Sequence, residues 1–172
     1  MLNLKFFHSV LLLSSIGLYQ SCCPEGWVKG RYSCYYPSHD STTWLAASIK
    51  CQSMASNLTV INNQDENNFV AGMIKEYIHA YKHNFWLDGT DVNQEGHFIW
   101  HSARHPISYK NWNVNEPSGG SEDCIEMLVK EFVDSRQIGK WNDKICSHLN
   151  HYICEKSIDD EGPVLSQGSV IG

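Results

Sequence analysis

Trp112-Asn113-Val114-Asn115-Glu116-Pro117-Ser118-Gly119-Gly120-Ser121-Glu122-Asp123-Cys124, followed downstream by Trp141-Asn142-Asp143-Lys144-Ile145-Cys146, is the most informative stretch of the chain. It concentrates oxygen donors: the carboxyls of Glu116, Glu122, Asp123 and Asp143, the amide of Asn142 and the hydroxyl of Ser118. Gly and Pro among them break any regular period, which puts most of them on loops. Ca²⁺ is a hard cation that takes six to eight oxygens at about 2.3–2.6 Å, and two such loops could supply most of that shell. Composition alone equally permits a solvated acidic loop, the default for any single Asp or Glu.

Working outward, the segment from Ser102 to Gly120 is almost without period, yet it contains Tyr109 and Trp112. A long irregular segment inside a compact domain is usually functional, because ordering it costs entropy that something must offset. Short β-type runs surround it: Phe85 to Leu87, Phe98 to Trp100, Ile125 to Val129 and Tyr152 to Cys154. Two helices come first. Trp44, Ala47, Cys51 and Ala55 repeat at helical spacing, with Ser41 and Thr42 as candidate N-caps. Phe69, Val70, Met73, Ile74, Tyr77 and Ile78 form one apolar face, and Asn63 with Glu66 makes a capping pair at its start. Helices first and short strands later define an α+β fold class. Trp86, Trp100 and Trp141 read as core residues.

The 172 residues, 42% of them hydrophobic, suffice for one core. Lys5 and the apolar run from Val10 to Leu13 read as a secretory signal over residues 1–21, and cleavage after Gly17 or after Ser21 both fit the small-residue rule. That run is too short to span a bilayer, and no later stretch is long and apolar enough. The product is therefore expected to be secreted and extracellular, with no membrane span. Residues 156–172 lose aromatics and periodicity and are expected to form a disordered tail.

Cys22, Cys23, Cys34, Cys51, Cys124, Cys146 and Cys154 lack the paired CxxC spacing of zinc sites and read as disulfides of an oxidising compartment. Spacing alone leaves their pairing open, and the odd count leaves one thiol over for linking two chains. Asn57-Leu58-Thr59 is a glycosylation sequon. A net charge of −6 without any Lys/Arg run excludes a nucleic-acid partner, which needs clustered positive charge. His79 with His83, and His101 with His105, are spaced i, i+4, but no HExxH accompanies them and they read as surface residues. No GxSxG is present either, so no enzyme is expected.

From Cys23 to Glu155 the sequence resembles a C-type lectin domain. Cys23-Pro24 with Trp27 and Cys34 resembles the opening hairpin of the family's long form, and Phe85-Trp86-Leu87-Asp88-Gly89 is similar to its core strand. Trp112-Asn113 ahead of Glu116-Pro117-Ser118, then Glu122-Asp123-Cys124 and Trp141-Asn142-Asp143, match its binding loop and the strand beneath; Cys154-Glu155 closes the pattern. The resemblance implies a fold of two helices and two small antiparallel sheets with a long irregular calcium-binding loop. It also implies three disulfides, Cys23–Cys34, Cys51–Cys154 and Cys124–Cys146, which leave Cys22 for an interchain bridge in a disulfide-linked homodimer.

By the same resemblance, Glu116, Ser118, Glu122, Asn142 and Asp143 would ligate a principal Ca²⁺, with Pro117 cis, and two vicinal sugar hydroxyls would complete the shell. Asp91, Glu95, Glu122 and Asp123 match an auxiliary ion, although another usual ligand falls at Gly119. Ser118 departs from the Asn or Asp usual there. Glu116 and the absence of an aromatic ring in Gly119-Gly120-Ser121 favour mannose-type sugars over galactose. The expected function is a calcium-dependent carbohydrate-binding lectin recognising microbial or self glycans. Its alternative is a lectin-like module that binds a protein or a mineral or ice surface, with calcium structural or absent.

Overall fold

Helix α1 (Trp44–Ser53) starts at Thr43, whose Oγ1 accepts from Ala46 N at 3.4 Å, and neither Ser41 nor Thr42 is its cap. Thr42 is committed elsewhere: it exchanges both backbone hydrogen bonds with Asn150, and its carbonyl also accepts from Trp86 Nε1. Trp44, Ala47 and Cys51 are buried, while Ala55 lies past the helix in the left-handed region at φ 51°. Helix α2 (Gln64–Lys75) is capped by Asn63, whose Oδ1 accepts from Glu66 N at 2.9 Å. The return arm of the expected pair lands one residue early, Glu66 accepting from Asn62 N at 2.7 Å. Val70, Met73 and Ile74 face the core and Phe69 sits at its rim against the Tyr35 ring. Tyr77 and Ile78 lie outside the described residues, which are 23–76, 83–129 and 138–158 of a computed structural model.

The strands are β1 (Val28–Lys29), β2 (Ser33–Pro37), β3 (Asn57–Leu58), β4 (Phe85–Thr90), β5 (Ile99–Trp100), β6 (His105–Pro106), β7 (Cys124–Met127), β8 (Trp141–Lys144) and β9 (His151–Ser157). In one antiparallel group, β1 pairs with β2, and β2 and β3 with β9; in the other, β4 pairs with β5 and β7, β5 with β6, and β7 with β8. The groups meet where β4 runs parallel to β9, Phe85 opposite His151 and Trp86 opposite Tyr152. Strand β9 continues beyond Glu155, where the domain was expected to end, because Lys156 and Ser157 pair with Cys34 and Ser33. Gly89 is required by packing: a Cβ there would stand 2.3 Å from Ile125 Cδ1 on the neighbouring β7.

Trp86, Trp100 and Trp141 are all fully buried. Trp141 gathers the irregular segment onto the core, with Tyr109, Trp100 and Trp112 packed edge-on to it at 5.6, 5.8 and 5.9 Å. Its N–H is satisfied by Asn67 Oδ1 at 2.8 Å, as a buried indole requires. Asn113 N and Asn111 O bond to the Trp141 backbone, so the loop is fastened to the residue that precedes Asn142-Asp143.

All three implied disulfides form: Cys23–Cys34, Cys51–Cys154 and Cys124–Cys146. The second spans 103 residues and joins α1 to β9. A loop of that length stabilises by roughly 4–5 kcal/mol through lost chain entropy. The third lies under the acidic segments, linking β7 to the turn that follows β8.

Candidate functional site

Strands β7 and β8 carry the acids in register, Ile125 opposite Asp143 and Glu126 opposite Asn142. Burial alternates along β8, so Trp141 and Asp143 point inward together. The Asp143 carboxylate accepts from the backbone N–H of Ser118 at 2.9 Å and of Gly119 at 2.6 Å, which draws the loop onto the strand. Gly119 permits this with φ +73°, and a Cβ there would meet Glu95 Oε1 at 2.7 Å. The Glu116–Pro117 bond is cis.

Glu122 takes two donors, Ser118 Oγ and Lys144 Nζ, both at 2.9 Å. Glu116 has a different environment: its Oε2 is buried and meets no hydrogen-bond donor. Burial, then the neighbouring carboxylates of Asp143 and Glu122, raise its pKa above the ordinary range. Lys144 faces Glu122, Glu126 and Glu116, and its pKa is raised chiefly by its bond to Glu122. The donors are oxygens throughout, the chemistry of a hard cation. Among the described residues, however, no three His, Cys, Asp or Glu side chains are gathered closely enough to hold a metal by themselves. Asn142 would add the neutral oxygen: both its amide hydrogens face the protein, and its Oδ1 meets no donor among the described residues.

A second group of acids abuts the first. Glu95 Oε1 accepts from Gly120 N at 3.1 Å, and Asp91 N donates to the carbonyl of Asp123. Asp91 is 2% exposed; Oδ2 accepts from Gly96 N, while Oδ1 is buried without a partner. Burial raises its pKa, the Gly96 N–H opposes the rise, and the charges of Glu95 and Asp123 add to it.

A recess of about 540 Å³, lined by Gln52, Asn57, His101, Ser102 and Arg104 among others, lies elsewhere and contains none of the acids. A profile of the Lectin C-type domain matches residues 40–156. The chain belongs to the C-type lectin domain family.

Perlucin of Haliotis laevigata is 35% identical over 138 residues, which cover 78% of this C-type lectin chain and 83% of perlucin. The carbohydrate-recognition domain of cow CD23, solved in the presence of a GlcNAc2Man3 oligosaccharide, is 30% identical with a TM-score of 0.64, over 79% of this chain and 96% of that one. A calcium-independent type II antifreeze protein is 22% identical with a TM-score of 0.67, over 79% and 95% of the two chains, a likeness of fold alone. The chain spans less than half the length of some receptor relatives, 40% in one and 47% in another.

In this C-type lectin domain Glu116, Ser118 and Glu122 lie on the loop and Asn142 and Asp143 on β8, with Ser118 bonded to both Glu122 and Asp143; Glu95 bonds to Gly120 of the same loop, and Asp91 to the Asp123 backbone. Asn57 is exposed on β3, while its sequon partner Thr59 is buried and donates to Ile153 O. His101 packs edge-on to Trp44, and His83 lies 5.8 Å from the His151 ring. Cys22, His79 and residues 1–21 lie outside the described residues. Two residues of the site went unrecognised in the sequence. Lys144 follows directly on Asn142-Asp143, and Glu126 was absorbed into an apolar run where a lone charge was the available signal.

Proposed function

We propose that the chain is a secreted, calcium-dependent carbohydrate-binding lectin that favours mannose-type sugars over galactose and recognises microbial or self glycans. Glu116 carries this proposal. A buried carboxylate oxygen without a donor is costly, and the like charges of Asp143 and Glu122 add to the cost. A hard cation relieves both at once. Glu116, Ser118, Glu122, Asn142 and Asp143 would hold the Ca²⁺, which when bound supplies coordination positions for two vicinal sugar hydroxyls. The carboxylates accept hydrogen bonds from those hydroxyls, and Trp141 with the Cys124–Cys146 bridge keeps loop and strand in place. No deep cavity is needed for a ligand held this way.

Asp91, Glu95, Glu122 and Asp123 are the proposed seat of a second ion, supported by the unpartnered Asp91 Oδ1. Secretion is supported by the three disulfides, and no helix among the described residues is long and apolar enough to cross a membrane. The exposed Asn57 is the proposed glycosylation site. With six cysteines paired, Cys22 is the proposed interchain link. A dimer would raise the avidity of a weak site by about 10²–10⁴ on a surface that both copies reach.

The alternative, a lectin-like module for a protein or a mineral or ice surface, draws support from two observations. Lys144 already neutralises Glu122, and two backbone amides already occupy Asp143. A glycan array run in CaCl₂ and in EDTA separates the two. Mannose-type signals lost in EDTA support the lectin; signals that persist in EDTA, or galactose signals of equal strength, reject the reading as stated.

A further inference from the structure

We infer that Glu126 is a positioning residue for the proposed calcium site: a buried carboxylate that turns the Asn142 carboxamide so that its oxygen faces the ion. This rests on the calcium reading above. Glu126 stands directly across from Asn142 in the β7–β8 ladder and is 4% exposed. Its carboxylate collects three amide donors. Asn84 Nδ2 at 2.9 Å and Asn142 Nδ2 at 3.0 Å share Oε1, and Asn150 Nδ2 lies 2.5 Å from Oε2.

An asparagine side chain presents an oxygen at one end and two N–H groups at the other, and rotation about its last bond exchanges them at little cost. At Asn142 that freedom is removed. Nδ2 donates to Glu126 and also to the Asp143 carbonyl at 2.6 Å. The reversed amide would set its oxygen against a carboxylate that only accepts, and would aim N–H groups at the cation. Only one orientation satisfies the strand, and it leaves Oδ1 outward.

Glu126 is itself held from two further directions. Asn84 precedes β4, and its Oδ1 accepts from Val129 N at 3.2 Å, which fixes that amide as well. Asn150 precedes β9, with its backbone doubly bonded to Thr42. The carboxylate therefore refers the proposed ligand on β8 to the starts of the two parallel strands that join the sheets. Outer-shell groups of this kind are typically worth about 10–100-fold in metal affinity.

Glu126→Met keeps the approximate size but removes both acceptor oxygens, including the Oε1 to which Asn142 Nδ2 donates, so the Asn142 amide loses the partner that fixes it. Calorimetric titration of the secreted, disulfide-bonded chain with CaCl₂ should show affinity about 10–100-fold weaker than wild type. In an Asn142→Ala background the same substitution should cost less than about twofold further, because the group it orients is gone. Equal losses in both backgrounds would mean that Glu126 acts through its charge or through loop stability, and would overturn the inference. A second readout needs no metal. In EDTA the Asn142 side-chain amide protons should exchange slowly with solvent in wild type and quickly in Glu126→Met; unchanged exchange overturns the inference on its own. A wild-type chain that takes up no CaCl₂ refutes the calcium reading and the metal half of this one, while the exchange data still decide whether Glu126 orients Asn142.

Discussion

Asp143 and Asp88 are both buried aspartates, at 0% and 1% exposure, yet their surroundings ask for different remedies. Asp143 accepts from two loop amides and shares its neighbourhood with Glu116, Glu122 and Lys144. Asp88 lies within β4; Oδ2 accepts from Ser102 N and Oγ, both at 2.7 Å, and Oδ1 is buried without a partner. Burial pushes Asp88 to about 6, against the pull of its two Ser102 bonds and of His101. Glu155, on β9, is pushed to about 7, again by burial, with the charges of Glu66 and Asp88 adding to it. Excess negative charge on a loop rich in neutral oxygen donors can be met by a cation. At Asp88 and Glu155 the excess is relieved by a proton instead, as their raised pKa values show. Burial of a carboxylate therefore says little by itself; the ligands within reach determine what it binds.

The comparison breaks most completely at Asp143. Asp143→Ala should weaken calcium binding by a hundredfold or more, beyond the roughly 10–100-fold of outer-shell changes. Far-UV circular dichroism should be unchanged, because the three disulfides and the tryptophan core remain. Calcium titration of this variant checks it, and near-wild-type affinity would remove Asp143 from the site.

The strand acids give the next largest effect, and one of opposite sign with pH. Asp88 and Glu155 have folded pKa values above their unfolded values of about 3.9 and 4.3. Their contribution to stability is complete below about pH 4 and is lost as pH rises through about 6 and about 7. In EDTA the free energy of unfolding in urea should therefore fall between pH 4 and pH 8. Asp88→Asn should flatten that fall by about 2–3 kcal/mol, the worth of a two-unit shift. An unchanged slope in the variant would mean that Asp88 does not titrate in this window. Calcium binding should run the other way, weakening as pH falls, because burial already favours the protonated form of Glu116 and a protonated carboxyl ligates poorly.

The smallest effect expected is at Lys144. Its ion pair with Glu122 is partly exposed, the two side chains being 34% and 23% accessible, and such pairs are worth about 0–1 kcal/mol. Lys144→Ala frees Glu122 for the metal and should tighten calcium by up to about fivefold, which is that energy expressed as affinity. Weaker binding would show instead that Lys144 orders the loop.

Much of this was legible in the sequence because it followed a period or a motif. Trp44, Ala47 and Cys51 of the first helix face, Val70, Met73 and Ile74 of the second, and the three core tryptophans are buried as their spacing predicts. The rest depended on partners across space. Thr42 looks like a cap until Asn150 claims its backbone, and β3 and β6 are two residues long, too short for any alternation to register. Disulfide pairing came from family resemblance, since spacing left it open. Glu126 and Asp88 each interrupt an apolar run by one charge. Nothing local distinguishes the one met by three asparagines from the one that stands half-satisfied.

The central claim is that the loop acids bind a sugar through calcium. Its most direct test is retention of the secreted protein on mannose-agarose in CaCl₂ followed by elution with EDTA. The expected result is retention in calcium, release by EDTA, and release by free mannose at concentrations where galactose leaves the protein bound. Protein that passes through in calcium, or that stays bound in EDTA, would contradict it.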